Sequence, residues 1–502
     1  MTNRERTAAQ GQGEGFCRSD LAAIAALFAL TLALACALAF LNRNVEFDRD
    51  EGFTLIKAWL FGRGSSLYSQ IWSDQPPMMT ILLMLVIKVF GNSLLACRCF
   101  VGLCAAVLVT SFYSLVRQTV SAGAALVAAL LLFYSPDFVS LSGSVMIGLP
   151  AMTFAVLGAK FLADYGRSRQ KRFFFFSLAS FSLSLQVKFI PVIYLPGLLV
   201  PLLLGPEDDL RPEGKDIKPA LAWMTILFLA TIAAILYFAG SDWRQLVGPH
   251  MGVQAFGETR PELSRPITLK ILRSFLPLAP LLILSCLAWT RKRQTYWLIP
   301  FTWFACVMYF MLMHKPIRYH YGLNLAIPVA WMAVLALPQD LDIKAALRAC
   351  AKEGRGPWTQ WAPPLAALVC IPLLVAARLP RMMAPALLAP PSWAEPIEPQ
   401  VMRLLAANRS GPKDRLFTDR AIYAFLARMP MPPSLAVISG KRLNSGYLPG
   451  DFFMRRISKV SPRHVILYRL PAERFSPAFP DFLTENYRLV YRSGLIRYYL
   501  KD

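Results

Sequence analysis

Four carboxylates fall within one polar stretch near the N-terminus: Asp48, Asp50, Glu51 and Asp74. The stretch reads Phe47-Asp-Arg-Asp-Glu-Gly52, then Gly64-Ser-Ser-Leu-Tyr68, then Asp74-Gln-Pro-Pro77. A carboxylate beside a substrate hydroxyl can act as a general base, and a second can orient the substrate or bind a cation. An unperturbed aspartate, with a pKa near 4, is a weak base unless burial raises it. Asp50 and Glu51 also suit a plainer role, capping a helix that begins near Phe53, because acids are favoured at helix N-termini. Asp48 and Asp74 read as loop acids, Asp74 held rigid by Pro76-Pro77.

The pair follows directly on an apolar run, Leu21 to Leu41, long enough to cross a bilayer. Ionised groups at such a place are costly to desolvate and usually functional. Of the 502 residues, 56% are hydrophobic and 17% charged, and apolar stretches recur from Leu21 to Ala376. That describes a polytopic α-helical membrane protein, since the alternating ten-residue segments of a β-barrel are absent. The first run is too long for a signal-peptide core and lacks a cleavage site. Nine scattered cysteines have no metal-type spacing and read as helix packing. The net charge of +23 fits cytoplasmic loops and anionic lipid rather than nucleic acid.

Gly166-Arg-Ser-Arg-Gln-Lys-Arg172 and Arg291-Lys-Arg293 are expected on the cytoplasmic side, as is the N-terminal tail 1–20. Spans are expected near 21–41, 94–116, 121–135, 145–163, 173–187, 190–204, 219–239, 275–290, 295–313, 322–337 and 364–378. Parity then makes Pro77–Phe90 an interfacial helix and 42–93 one large external loop. The transmembrane domain is read as 21–378. The remainder, 379–502, opens with a Pro-rich linker to Pro399 and carries 19 Lys and Arg against 9 Asp and Glu. Strands are expected at Arg415–Thr418, Leu435–Ile438, His464–Tyr468 and Tyr487–Tyr491, with a helix at Ala421–Arg428. This predicts a small external α/β domain.

The order of motifs resembles polyprenol-dependent glycosyltransferases of the GT-C membrane fold, in particular the dolichyl-phosphate-mannose protein mannosyltransferase and aminoarabinose transferase group. The residues that carry the resemblance are Asp50-Glu51-Gly52, Ala58, Gly62, Leu67-Tyr68, Pro76-Pro77, Phe90-Gly91 and Arg98. Lys188 in Gln186-Val-Lys-Phe-Ile-Pro191, and Arg318-Tyr319 before the helix with Pro328, continue it to about residue 340. The chain departs at Gly148, where the family often has an acid, and at Gln75, where many members have His or Lys.

The resemblance implies an inverting transfer of a sugar from a polyprenyl-phosphate carrier to an acceptor hydroxyl, outside a bacterial inner membrane. Asp50 is the expected base, with Glu51 orienting the acceptor or binding a cation. Lys188 and Arg318 would take the donor phosphate; read alone, Lys188 also suits a snorkelling anchor and Arg318 an interfacial one. Asp74, Tyr68, Tyr319, His320 and His314 are candidate substrate contacts. No nucleotide loop or metalloprotease signature is present, so no cofactor is demanded, and a divalent cation at Asp50 and Glu51 stays open. The acceptor is a glycan, a lipid or a protein. Two other classes remain: a transporter or lipid-carrier flippase, disfavoured by the missing repeat, and a catalytically silent glycan-binding relative.

Overall fold

A computed structural model describes residues 18–133, 135, 137–204, 218–251, 261–292, 295–314, 317–335, 337, 390, 394–444 and 446–501. The described residues open with helix α1 (Arg18–Leu41), strand β1 (Val45–Glu46), α2 (Arg49–Gly62) and α3 (Met78–Phe90). Then come α4 (Leu94–Val116), α5 (Ala122–Phe133), a short α6 (Phe138–Ser142), α7 (Gly148–Ser168) and α8 (Lys171–Val187). The helical part continues with α9 (Leu195–Leu204), α10 (Lys218–Ala239), α11 (Trp243–Met251), α12 (Pro261–Phe275), α13 (Ala279–Lys292), α14 (Leu298–Met313) and α15 (Gly322–Leu335).

α1, α4, α7 and α8 pack in succession. Glycine allows one close approach: a Cβ at Gly102 of α4 would stand 2.7 Å from the Ala35 Cβ of α1. With no hydrophobic drive between helices in lipid, such small-residue contacts let dispersion hold them together. Deeper in the bundle Tyr194, Trp303 and Trp331 are buried, the Trp303 ring meeting the other two edge-on. The Trp303 indole N–H donates to the Tyr194 carbonyl at 2.9 Å, and the Tyr194 hydroxyl to the Asn324 carbonyl at 2.7 Å.

Among the described residues four helical segments are long and apolar enough to span alone: Arg18–Leu41, Leu94–Val116, Lys218–Ala239 and Arg265–Trp289. Of the other expected spans, 145–163 and 173–187 form as unbroken helices of 21 and 17 residues, and the rest that are described form as shorter or broken ones. Prolines are the main cause. The span expected at 190–204 is a 3-10 turn, Ile190–Tyr194, followed by α9, with Pro191 and Pro196 at the join. Likewise Pro277 sits in the 3-10 turn Leu276–Leu278 between α12 and α13. The span expected from 145 begins at Gly148, and the Val145 N–H just before it donates to Glu51. At 13 residues α3 is about 20 Å long, short of a roughly 30 Å hydrocarbon core. The expected helix at 364–378, most of the tail 1–20 and the boundary at 379 lie outside the described residues.

The C-terminal domain has strand β2 (Glu395–Pro396), α16 (Pro399–Ala407), β3 (Leu416–Thr418), α17 (Ile422–Ala427), α18 (Gly440–Asn444) and α19 (Gly450–Val460). It ends with β4 (His464–Leu467), α20 (Phe479–Asn486), β5 (Arg488–Ser493) and β6 (Ile496–Leu500). Its sheet runs β3-β4-β6-β5, with β3 and β4 parallel and the rest antiparallel. Phe417, Phe453, Phe475 and Phe479 fill its core. The expected strand at 435–438 is not formed. Pro432 and Pro433 turn the chain into a 3-10 helix there, Pro433–Leu435. Strand β6 and the two-residue pairing of β1 with β2 were not foreseen.

Candidate active site

Helix α2 starts at an acid. Asp48 is extended (φ −156°, ψ 157°) and its carboxylate accepts the Asp50 N–H at 3.0 Å, capping the helix. Asp50 and Glu51 follow in the first turn. Consecutive residues on a helix point about 100° apart, so the two acids enter different environments.

Glu51 faces inward and is fully buried. Arg98 grips it with two hydrogen bonds, Nε to Oε1 at 2.8 Å and Nη2 to Oε2 at 2.7 Å. The Phe47 N–H (3.1 Å) and the Val145 N–H (2.8 Å) complete the set. Arg98, also fully buried, gives its other N–H groups to the Asn42 and Val45 carbonyls, under the Phe47 ring. A charge pair this deeply buried survives only when its polar atoms are well matched; here the Glu51 carboxylate accepts four hydrogen bonds and Arg98 donates four. Glu51 therefore has the geometry of an anchor, and the direct substrate or cation role expected for it does not fit.

Asp50 faces the other way, with its surface open, and its carboxylate accepts no hydrogen bond from a described residue. Protein nonetheless crowds round the recess in which it lies. That burial, then the charges of Asp48 and Asp74, push its carboxyl up to about 6, against the pull of Lys188 and Lys57. Lys57, two turns on along the same face, was missed by the sequence reading. The only signal was the spacing Asp50, Thr54, Lys57. Its ammonium is buried, donates to the Ser73 hydroxyl at 3.3 Å, and is pushed down by burial while Asp74 and Asp50 oppose.

The loop after α2 is locked from a distance. Gln245 of α11 accepts the Ser73 N–H at 3.3 Å and donates to the Tyr68 carbonyl at 2.6 Å. Tyr68 takes a left-handed conformation (φ 69°), and its hydroxyl donates to the Gln75 carbonyl at 2.9 Å. The phenol is thus engaged in holding the loop, rather than turned to substrate. Asp74, half-buried, lies near enough to act electrostatically on Asp50, Lys57 and Tyr68.

Across the recess stand residues some 140 to 270 positions later. Lys188 ends α8 in extended backbone, and its ammonium lies 5.2 Å from the centre of the Tyr321 ring. The Tyr319 hydroxyl donates to Asp48 Oδ2 at 3.0 Å. His320 is driven well down by burial and by the nearby positive charges of Lys188 and Arg318, so its ring is neutral. Gly148, Lys188, His320 and Asn324 line a crevice of about 10 Å³, room for about one water. A Cβ added at Gly148 would meet nothing within 4 Å. His314 is not in the recess itself: it stacks on Phe310 and meets the Tyr321 ring edge-on. It ends an apolar groove of about 550 Å³ formed by Val192, Pro196, Cys306, Tyr309 and Met313 among others. Among the described residues no three His, Cys, Asp or Glu side chains converge to hold a metal.

The structure thus joins Asp50, Asp48, Asp74, Lys57, Lys188, Tyr319 and His320 about one recess. Arg318 lies at its edge, exposed, and Glu51 and His314 point elsewhere.

Comparison with known proteins bears on this arrangement. The dolichyl-phosphate-mannose-protein mannosyltransferase family matches residues 74–238, a segment with Lys188 but without Asp50. No curated protein sequence matches the chain. Among solved structures, ArnT from Cupriavidus metallidurans bound to undecaprenyl phosphate aligns with a TM-score of 0.60 at 13% identity. It covers 95% of this chain and 97% of that one. The Archaeoglobus fulgidus oligosaccharyltransferase, in complex with zinc and sulfate, aligns with a TM-score of 0.53 at 13% identity, over 95% of this chain and 73% of that one. The chain thus has the GT-C fold of these solved structures, and the family match covers about a third of it.

Proposed function

We propose that this GT-C membrane protein moves a sugar from a polyprenyl-phosphate carrier to an acceptor hydroxyl at the external membrane surface, with Asp50 as general base. The observation that carries this reading is the contrast between the two neighbouring acids. Glu51 is saturated by four donors, while Asp50 is open, raised to about 6, and faces a lysine across the recess. A base with a pKa near 6 is still mostly ionised at pH 7, yet accepts a proton more readily than an ordinary aspartate.

In the reaction the acceptor oxygen attacks the sugar's anomeric carbon as the carbon–oxygen bond to the lipid phosphate breaks. The bonding pair leaves with the phosphate, the acceptor's proton passes to Asp50, and the anomeric configuration inverts. Lys188 is set to receive the charge that develops on the phosphate, and Arg318 at the rim adds a second cation. The apolar groove ending at His314 suits the polyprenyl chain. His314 packs on Tyr321, and Tyr321 on Lys188, so the groove leads toward the cation. The undecaprenyl phosphate in the ArnT structure supports a carrier of this class. The acceptor is a glycan, a lipid or a protein.

The test is transfer from radiolabelled polyprenyl-phosphate sugars in membranes holding wild type or Asp50→Asn. The substitution keeps size and removes the base, so transfer is expected to fall by about 10²–10⁴-fold. Equal transfer by a folded Asp50→Asn protein would sink Asp50 as the base. No transfer by wild type with any donor would sink the enzyme reading.

A further inference from the structure

The parallel strands of the C-terminal domain, β3 and β4, end at Asp419-Arg420 and Tyr468-Arg469. The ends of parallel strands are where α/β domains bind their ligands. Here that edge is filled by the chain's own catalytic loop. Arg420 is fully buried, 374 positions from its partner, and its Nε donates to Glu46 Oε2 at 2.6 Å. Its other N–H groups go to the Pro396 and Glu395 carbonyls, both at 2.9 Å. Arg469 reaches the same Glu46 oxygen at 3.2 Å and Glu395 Oε2 at 2.8 Å. Asp419 holds the turn that presents Arg469, accepting the Tyr468, Arg469 and Leu470 N–H groups at 2.7–2.8 Å.

The grip extends to the backbone. β1 pairs antiparallel with β2, Glu46 opposite Glu395, and the Ile397 N–H donates to the Asn44 carbonyl at 2.9 Å. Helix α17 lies directly on α2: a Cβ at Gly52 would stand 2.8 Å from the Ile422 nitrogen and 2.6 Å from Glu46 Oε1. Glu46 precedes the helix cap Asp48 by two residues, and Asp50 by four. Arg98 and Glu51 fix this corner from the membrane side, and Arg420 fixes it from the other.

We propose that the C-terminal domain is a positioning part of the catalytic apparatus, with Arg420 as its positioning residue: through Glu46 it sets the first turn of α2 and so aims Asp50. The inference rests on the reading of Asp50 as base. Proteins tolerate little error of this kind, since a misplacement of about 1 Å can cost about 100-fold in rate.

Arg420→Met alone leaves the buried Glu46 with only the longer Arg469 contact, at 3.2 Å, and risks unfolding the protein. The deciding variant is therefore Glu46→Gln with Arg420→Met, which removes both charges. Two readouts are made on the full-length protein: amide hydrogen exchange over residues 44–52, and kcat and donor KM. The double variant is expected to unfold near the wild-type temperature, with exchange over 44–52 faster by about tenfold or more. Its kcat should fall by about tenfold or more, with donor KM within about twofold, as expected when only alignment in the transition state is lost. Arg420→Lys, which retains the charge, should recover part of kcat, and Arg456→Met on the exposed face of α19 should match wild type. Unchanged exchange, or unchanged kcat, in the folded double variant would overturn the proposal. If wild type transfers no sugar, the base reading fails, and the exchange result alone decides whether Arg420 holds the loop.

Discussion

Two adjacent carboxylates take opposite roles because a helix turns them into opposite surroundings. Their substitutions should therefore fail in different ways. Glu51→Gln leaves the Arg98 guanidinium buried without its counter-charge, a loss of about 3–5 kcal/mol. Little folded protein should accumulate, as read by size-exclusion chromatography and thermal unfolding. Normal yield with a pure loss of kcat would instead return Glu51 to the catalytic set. Asp50 behaves in the other sense. A base must be ionised, so kcat/KM should climb with pH through about 6 and level above it. The folded pKa is raised above the unfolded value, so the fold binds the proton more tightly. Stability then declines as pH rises from about 4 toward 6, and the ionised group is a burden above that. Asp50→Asn should accordingly unfold no lower than wild type at pH 7.5, while losing transfer. A pH–rate profile with no break near 6 would remove Asp50 as the titrating base.

At the scale of elements, α2 carries the site but is stable only in company. Ten successive residues, Glu51 to Leu60, are buried, more than one amphipathic face supplies. α3 covers one side of the helix and α17 another. Gly52 is where the second contact closes, too tightly for any side chain. Gly52→Ala should force α2 and α17 apart at a cost of about 1–3 kcal/mol, seen as a lower unfolding temperature. A variant as stable as wild type would mean the corner is more yielding than this packing implies. The loop from Tyr68 to Ser73 is likewise made by a partner far along the chain, Gln245 of α11. The acid-bearing loop and the helices around it therefore form one unit assembled from distant sequence.

Across the whole molecule, some features were legible in order and composition alone. Apolar run length announced a helical membrane protein, and the order Asp50-Glu51, Pro76-Pro77, Arg98, Lys188, Arg318 announced the GT-C fold that the comparisons bear out. Helix positions followed because hydrophobic length is a local property, and they erred where prolines interrupt, as at 190–204 and 276–278. The C-terminal α/β character was readable from alternating runs, though Leu435–Ile438 was miscounted as a strand where prolines precede it. Asp50 could be picked out, but not parted from Glu51, since adjacent acids look alike until the direction of each side chain is known. Lys57 looked like an ordinary helix lysine, and Arg420 carried no signal at all, because its partner Glu46 lies 374 residues away. Burial, pKa and ion pairing belong to neighbours in space. The sequence by itself determined that this is a helical membrane protein and that its adjacent acids follow directly on an apolar helix, because run length and order are local properties. Only the tertiary structure decided which acid is open and which is an anchor, because that depends on what 0 % exposure surrounds Glu51 with and leaves Asp50 without.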